Sequence, residues 1–211
     1  MISLNFQILS GESKQMAYYQ WKLVSKIEMK EFYQVETSEA IAVYKRKMNS
    51  FETMIKKIIT RHKKVGIQKM IEVAMCCITQ NDYCSSYLIY KQLKEIEKTN
   101  YSLVESCFIS SELKEKWLEL NQLFCVFKNY HACRTTFKAL AIRTARIPMM
   151  WLWLQDMEMV DQLPTFDETK TLVNCEKMRN YRELIEAIRL TKIVSYQIQP
   201  NESFQFFFSN N

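Results

Sequence analysis

Nucleophilic, acid–base and metal chemistry all require histidine, cysteine or carboxylate groups at short fixed spacings, and this chain holds few such arrangements. Its two histidines, His62 and His131, belong to no serine, cysteine or H-E-x-x-H pattern, so neither an activated nucleophile nor a hydrolytic zinc is indicated. Seven cysteines form no C-x-x-C pair and stand near no histidine at zinc-ligand spacing, which points to free thiols in a reducing compartment and to no metal site. Cys76 and Cys77 fall in an apolar helical stretch and read as small buried thiols. Glycine occurs only at Gly11 and Gly66, so no phosphate-cradling G-x-x-x-x-G-K-[ST] or G-x-G-x-x-G loop exists, and no cofactor is expected. Trp151 and Trp153, two apart on a helix, point to different sides and cannot form one ligand cage.

What remains is a chain built for packing and for contact. A hydrophobic content of 48% over 211 residues is ample for one continuous core, and so few glycines and prolines argue against a sheet protein with many turns. The net charge of +6 favours acidic partners without reaching the density of a dedicated nucleic-acid binder. Arg61, His62, Lys63 and Lys64 read as a solvated helix face, with an acidic partner or an anionic membrane as the functional alternative. The start of the chain lacks the pattern of a signal peptide, and the longest apolar run, Ile147 to Leu154, is far short of the roughly 20 residues a membrane span needs, so a soluble cytoplasmic protein is expected.

The positioning elements are helices. Phe51, Met54, Ile55, Ile58 and Ile59, then Ile67, Met70, Ile71, Ala74 and Ile78, make two helical stripes that Gly66 is expected to separate. Gln80 to Asp82 predicts a turn before a helix from Tyr83 to Lys98, and Thr99 to Ser111 reads as irregular. Leu113, Trp117, Leu120, Phe124 and Phe127 describe another apolar face running into Asn129 and Tyr130. Pro148 suits the first turn of a helix of about 15 residues limited by Pro164, and a second long helix through Tyr181, Leu184, Ile185 and Ile188 returns beside it as a hairpin. The segment from Ile193 alternates like a strand but has no partner strand, so it reads as extended chain on helices. The closing Phe204, Phe206, Phe207 and Phe208 read as a tail folded on its own core. No repeat or linker appears, giving one all-α domain of roughly eight to ten helices.

Over Lys14 to Phe208 the chain resembles the catalytic domain of Ras-family guanine nucleotide exchange factors. Leu172, Val173, Asn174, Cys175, Glu176, Lys177, Met178, Arg179 is similar to the family's L-I-N-F-x-K-x-R signature. Ile147, Pro148 and the run to Leu154, followed by Gln155, Asp156, Met157 and Met159 to Asp161, resembles I-P-F-L-G-x-Y-L-x-D-L-x-F-I-E-E. Met70 to Tyr83 resembles the segment ending C-x-x-L-N-N-F, Lys128 to Lys138 the N-Y-x-x-Y-R-x-x-L element, and Lys22 to Ala40 the early L-T-x-I-E-x-E-x-F-x-x-I-x-P-x-E block.

The resemblance implies a single orthogonal multi-helical domain with a protruding helical hairpin, residues 14–211 after an extension of 1–13, whose partner is a small GTPase of the Ras, Rap or Ral type. It implies nucleotide exchange without covalent chemistry, no nucleic acid, and at most a peripheral contact with anionic membrane. By position, Asn81, Tyr130 and Met149 correspond to residues touching the GTPase's second switch. Asp156, Glu158, Met159 and Gln162 correspond to the prying helix, and Asn174, Lys177 and Arg179 to its support. Glu158 and Gln162, four apart, share one helix face on spacing alone. The chain departs from the family at Gln162, Leu163 and Pro164, where a second acid and Gly-Asn are usual, at Met149, usually aromatic, and at Glu52 and Met54, commonly serine and tryptophan. It also has no room for the helical module that often braces the hairpin. Two other classes stay open: a module on the same fold that binds a GTPase without exchange, and a basic helical scaffold for acidic partners.

Overall fold

Side-chain caps set where the helices begin. Ser38, Asp82, Asn100, Ser110 and Asn174 each place a side-chain oxygen on a backbone N–H one turn ahead, satisfying a donor that the first helical turn leaves free. The computed structural model describes residues 9–166 and 169–202, and its helices are α1 (Leu9–Lys26), α2 (Glu39–Thr79), α3 (Tyr83–Thr99), α4 (Tyr101–Glu105), α5 (Ser111–Leu123), α6 (His131–Lys138), α7 (Met150–Asp161) and α8 (Cys175–Ile193). A 3₁₀ turn, Met29–Tyr33, joins α1 to α2, and no strand occurs among the described residues. The all-α class expected from the sequence is the one observed. Pairs of α1, α2 and α3 enclose the core, with Ile41, Ile55, Ile59, Ile67, Ile71, Ile89 and Trp153 among its fully buried side chains.

Helix α2 breaks into two arms at Lys63, whose φ of 46° and ψ of −121° reverse the chain. The sequence placed this break at Gly66. The glycine serves a different purpose: a Cβ there would lie 3.1 Å from His62 Cβ and 3.2 Å from both Ile58 O and Ile59 Cα, so any side chain would have to push the crossing arms apart by a few tenths of an ångström. The turn of residues 80–82 appears as expected. Residues 99–111 are less irregular than expected, because α4 forms inside them. The apolar face of α5 stops at Phe124: Phe127 is exposed, and Lys128, Asn129 and Tyr130 all take positive φ before α6 begins.

Chain segments far apart in sequence meet at the base of α7. Ile147 N donates to Asn81 O (2.9 Å) and Tyr83 N to Ile147 O (3.0 Å), stitching the α2–α3 turn to the segment entering α7. Pro148 lies just before the helix and not in its first turn as expected; α7 starts at Met150. A proline biases its predecessor towards extended backbone, which suits the pairing of Ile147. Helix α7 is 12 residues long and ends three residues before Pro164. Helix α8 returns antiparallel beside it. Near the base the pair is anchored in the core through Met150, Leu152, Trp153, Leu154 and Ile188, and Met157, Val160, Lys177 and Tyr181 stay buried further out, whereas Asp161 to Phe166 and Thr169 to Val173 are all exposed, so the tip of the hairpin projects. The expected tail is extended: residues 194–200 have no regular structure, Tyr196 is buried, and its hydroxyl donates to Gln80 O (2.7 Å). Phe204, Phe206, Phe207 and Phe208 lie outside the described residues. No described helix is long and apolar enough to cross a membrane.

Candidate functional site

A groove of about 480 Å³ lies between the first arm of α2, α3 and the start of α7. Its floor is apolar and buried: Tyr44, Met48, Leu88, Met149 and Leu154. Trp151, 45% exposed, forms one wall and stacks on Tyr87 with ring centroids 5.6 Å apart at 17°. The rim is charged. Lys45 Nζ stands 3.0 Å from Glu158, and Lys91 Nζ lies 2.8 Å from Glu52, which also accepts from Gln92 (3.2 Å). These pairs are partly solvated and add little stability, so the rim remains open to exchange of partners. An apolar floor with a polar rim suits a protein segment that presents a few large side chains.

The thiol and the buried phenol of the groove are held protonated. Burial pushes the thiol of Cys84, which lines the groove, up to about 12, and raises that of Cys133 likewise to about 12, so both keep their protons at neutral pH. The Tyr44 hydroxyl, bonded to Gln20 Oε1 and in contact with Cys84 Sγ at 3.2 Å each, is driven well above the ordinary phenol range by burial. No group of acids, thiols or histidines suited to a metal is found among the described residues.

The residues singled out from the sequence divide among three places. Met149 lies in the groove floor, 1% exposed, immediately before α7. Tyr130, half-buried and left-handed at φ 58°, joins the aromatic wall: its hydroxyl is 3.3 Å from that of Tyr87 and its ring 5.8 Å from Trp151. Asn81 does not line the groove. Its φ of 56° suits a turn, its Nδ2 donates to Ala145 O (3.3 Å), and with the Ile147 pairing it holds the base of α7.

On α7 the four candidates face two ways. Glu158 and Gln162 share a side, as their spacing predicts. Together they line a second concavity of about 280 Å³ with Tyr33 to Thr37 and Tyr181, and Glu158 is common to this hollow and the groove. Asp156 and Met159 look the other way, onto α6 and α8. Asp156 takes a bidentate pair of bonds from Arg134 at 2.6 and 3.0 Å, and that guanidinium also lies 5.2 Å from the Trp153 ring. Fork geometry of this kind fixes orientation as well as charge. Met159 is 60% exposed, and Gln162 is exposed at the C-cap of α7.

Support of the far end comes from the start of α8. Asn174 Oδ1 caps α8 by accepting from Lys177 N (3.0 Å), while its Nδ2 donates to Pro164 O (2.9 Å). The Lys177 ammonium, nearly buried, donates to Asp161 O (2.9 Å), Leu163 O (2.7 Å) and Thr165 Oγ1 (3.3 Å). All three of its protons are thereby used, and carbonyls that the end of α7 leaves without helical partners are satisfied by a cation, which the helix dipole also favours. The Tyr181 hydroxyl donates to Asp161 Oδ1 (2.7 Å), and its ring lies 5.2 Å from Tyr33. Arg179 is exposed on the outer side of α8. Sequence reasoning missed Lys45, Arg134, Tyr87 and the groove role of Trp151; all depend on contacts between distant segments, and only the helical offset of Trp151 from Trp153 hinted at any of them.

A model of the RasGEF domain family matches residues 13–179, a span covering α1 through the start of α8 and therefore the groove and most of the hairpin. A comparison with curated proteins finds no match.

Proposed function

This chain belongs to the RasGEF domain family, and from that premise we propose that it promotes release of GDP from a Ras-like small GTPase of the Ras, Rap or Ral type, in the cytoplasm and without covalent chemistry. In this reading the groove seats the GTPase's second switch segment on Met149, Tyr130 and Trp151. The far half of the α7–α8 hairpin, through Glu158, Met159 and Gln162, disturbs the magnesium and phosphate positions. Asp156, Asn174 and Lys177 act as positioning residues.

One observation carries the proposal: helix α7 runs from the groove to the exposed tip, with Trp151 and the preceding Met149 in the groove, and Met159 and the C-cap Gln162 at the far end. Weakening nucleotide about 10⁴-fold requires roughly 5.5 kcal/mol of differential binding to the opened state. That demands a specific interface of about 1,600 Å² with a few buried anchors, for which the groove floor is suited. Because coupling is reciprocal, returning nucleotide weakens the exchange factor equally.

Fluorescent GDP release measured across a panel of Ras, Rap and Ral type GTPases tests this reading. Micromolar protein accelerates release from at least one member, and Met159→Ala with Gln162→Ala removes the acceleration while helicity is unchanged. No acceleration from any member refutes exchange. A second reading, GTPase binding without exchange, is favoured by Gln162, which lacks the charge that the resembling motif carries there; tight capture of a GTPase without release of its GDP selects it.

A further inference from the structure

The chain's whole net charge resides in one place. From Thr53 to Ile71 the sequence holds six Lys or Arg and no Asp or Glu, and the chain's net charge is +6, so the rest of the molecule is balanced. The segment folds as the corner of α2, where the chain reverses at Lys63. Lys56, Lys57, Arg61 and Lys63 are exposed there, Lys64 is partly so, and none of the five forms an ion pair among the described residues. Lys57 and Arg61 lie one helical turn apart on the same ridge.

Apolar side chains project beside these cations. Val65 is 53% exposed immediately after the reversal. The loop after α4 packs on the same corner, since Gln68 Nε2 donates to Cys107 O (2.8 Å) and Cys107 Sγ to Lys64 O (3.7 Å). Ile109 N bonds back to Cys107 O (2.9 Å), and the Ile109 side chain stands 76% exposed. Glu105, in the last turn of α4, is the one acid in residues 99–111. Exposed cations and exposed aliphatic groups on one corner match the layered chemistry of a bilayer surface, with anionic headgroups above an apolar boundary. Nucleic acid offers phosphates but nothing for Val65 and Ile109 to enter.

We infer that the α2 corner, with Lys56, Lys57, Arg61, Lys63 and Lys64 around Val65 and Ile109, docks on an anionic lipid bilayer. The site is separate from the groove: Met48 in the groove and Arg61 at the corner lie on one arm of α2, roughly 20 Å apart at about 1.5 Å per residue. The inference therefore does not depend on nucleotide exchange.

Sedimentation of the full chain with phosphatidylcholine vesicles, with and without about a third phosphatidylserine, tests it. Each cation near an anionic leaflet strengthens partitioning about fivefold, so Lys56→Gln, Lys57→Gln, Arg61→Gln together weaken binding to the anionic vesicles about a hundredfold. Ile109→Ser weakens it about tenfold. Raising salt from 0.1 to 1 M shortens the screening length from about 10 to about 3 Å and largely abolishes it. Circular dichroism checks that the variants stay helical; if the triple variant does not, Ile109→Ser and the salt series decide. Equal binding to neutral and anionic vesicles, or undiminished binding by a folded triple variant, overturns the proposal. Tighter binding to single-stranded RNA than to vesicles, unaffected by Ile109→Ser, assigns the corner to nucleic acid and overturns it as well.

Discussion

Replacing Lys177 by methionine keeps the buried stem and deletes only the ammonium that caps α7. Three acceptors lose their donor: Asp161 O, Leu163 O and Thr165 Oγ1, at 2.9, 2.7 and 3.3 Å. A hydrogen bond with a charged partner contributes about 1.5–3 kcal/mol when the acceptor cannot otherwise be satisfied. Here Asp161, Leu163 and Thr165 are exposed, so water replaces part of what is lost, and the expected cost is roughly 2 kcal/mol in total. That cost falls on the tip, because the base of the hairpin is anchored separately in the core through Leu152, Trp153 and Ile188. Local opening of the tip therefore rises about 30-fold, with little change in global stability. Amide hydrogen exchange reads this directly at Gln162 and Leu163, bonded to Glu158 O and Val160 O at 3.3 and 3.1 Å, and at Asn174, bonded to Thr165 O at 2.9 Å. Unchanged protection at these amides, or protection lost equally along α2, refutes the reasoning.

Three further perturbations follow from the same geometry. Burial raises the Asp82 carboxyl from 3.8 to about 6, so the folded state holds a proton that the unfolded chain releases; stability falls by roughly 3 kcal/mol as pH rises from about 4 to about 6 and is level above that. Asp82→Asn retains the cap and removes this slope, which melting curves across the interval measure; an unaltered slope refutes the assignment. Arg134→Ala and Asp156→Ala are non-additive by about 1 kcal/mol in a thermal double-mutant cycle, because the pair is bidentate and largely shielded; additivity within about 0.3 kcal/mol rejects it. Gly66→Ala destabilises by about 1–3 kcal/mol in denaturant unfolding despite the better helix propensity of alanine, since the crossing arms of α2 must part; a stabilised variant contradicts the close approach.

Much of this architecture was legible where the physics is local. Apolar stripes and the turn at residues 80–82 located α3 closely, the two stripes of α2 mark its two arms, and the four-residue spacing of Glu158 and Gln162 put both on one face. Where the controlling contact is distant, the residues carried little signal. A glycine ordinarily marks the point where the chain turns, yet the reversal falls on Lys63 and the glycine marks the crossing. Phe127 continues a helical stripe in sequence, but successive positive-φ residues after it end the pattern and leave it in solvent. Of the groove, the resemblance reached Met149 and Tyr130, but its rim could not be read, since it pairs residues as remote as Lys45 and Glu158.

Helix α7 is buried along one face as far as Val160 and leads into an exposed tip, which has a mechanical consequence for the proposed exchange. In that proposal, binding in the groove is felt at Trp151, and α7 carries the constraint to Met159 and the C-cap Gln162 without a hinge, since α7 contains neither glycine nor proline. The base cannot yield, because Ile147 is bonded on both sides to the α2–α3 turn and Trp153 is buried. Rotation about the helix axis is opposed on one side by Arg134 gripping Asp156 and on the other by Tyr181 gripping Asp161. In the proposed exchange, a rod fixed at one end and held against rotation along its length converts affinity for a switch segment into a defined position of the tip. The differential binding that exchange requires can then be gathered in the groove and applied at the tip, where Gln162 and Met159 themselves need contribute only contact and bulk.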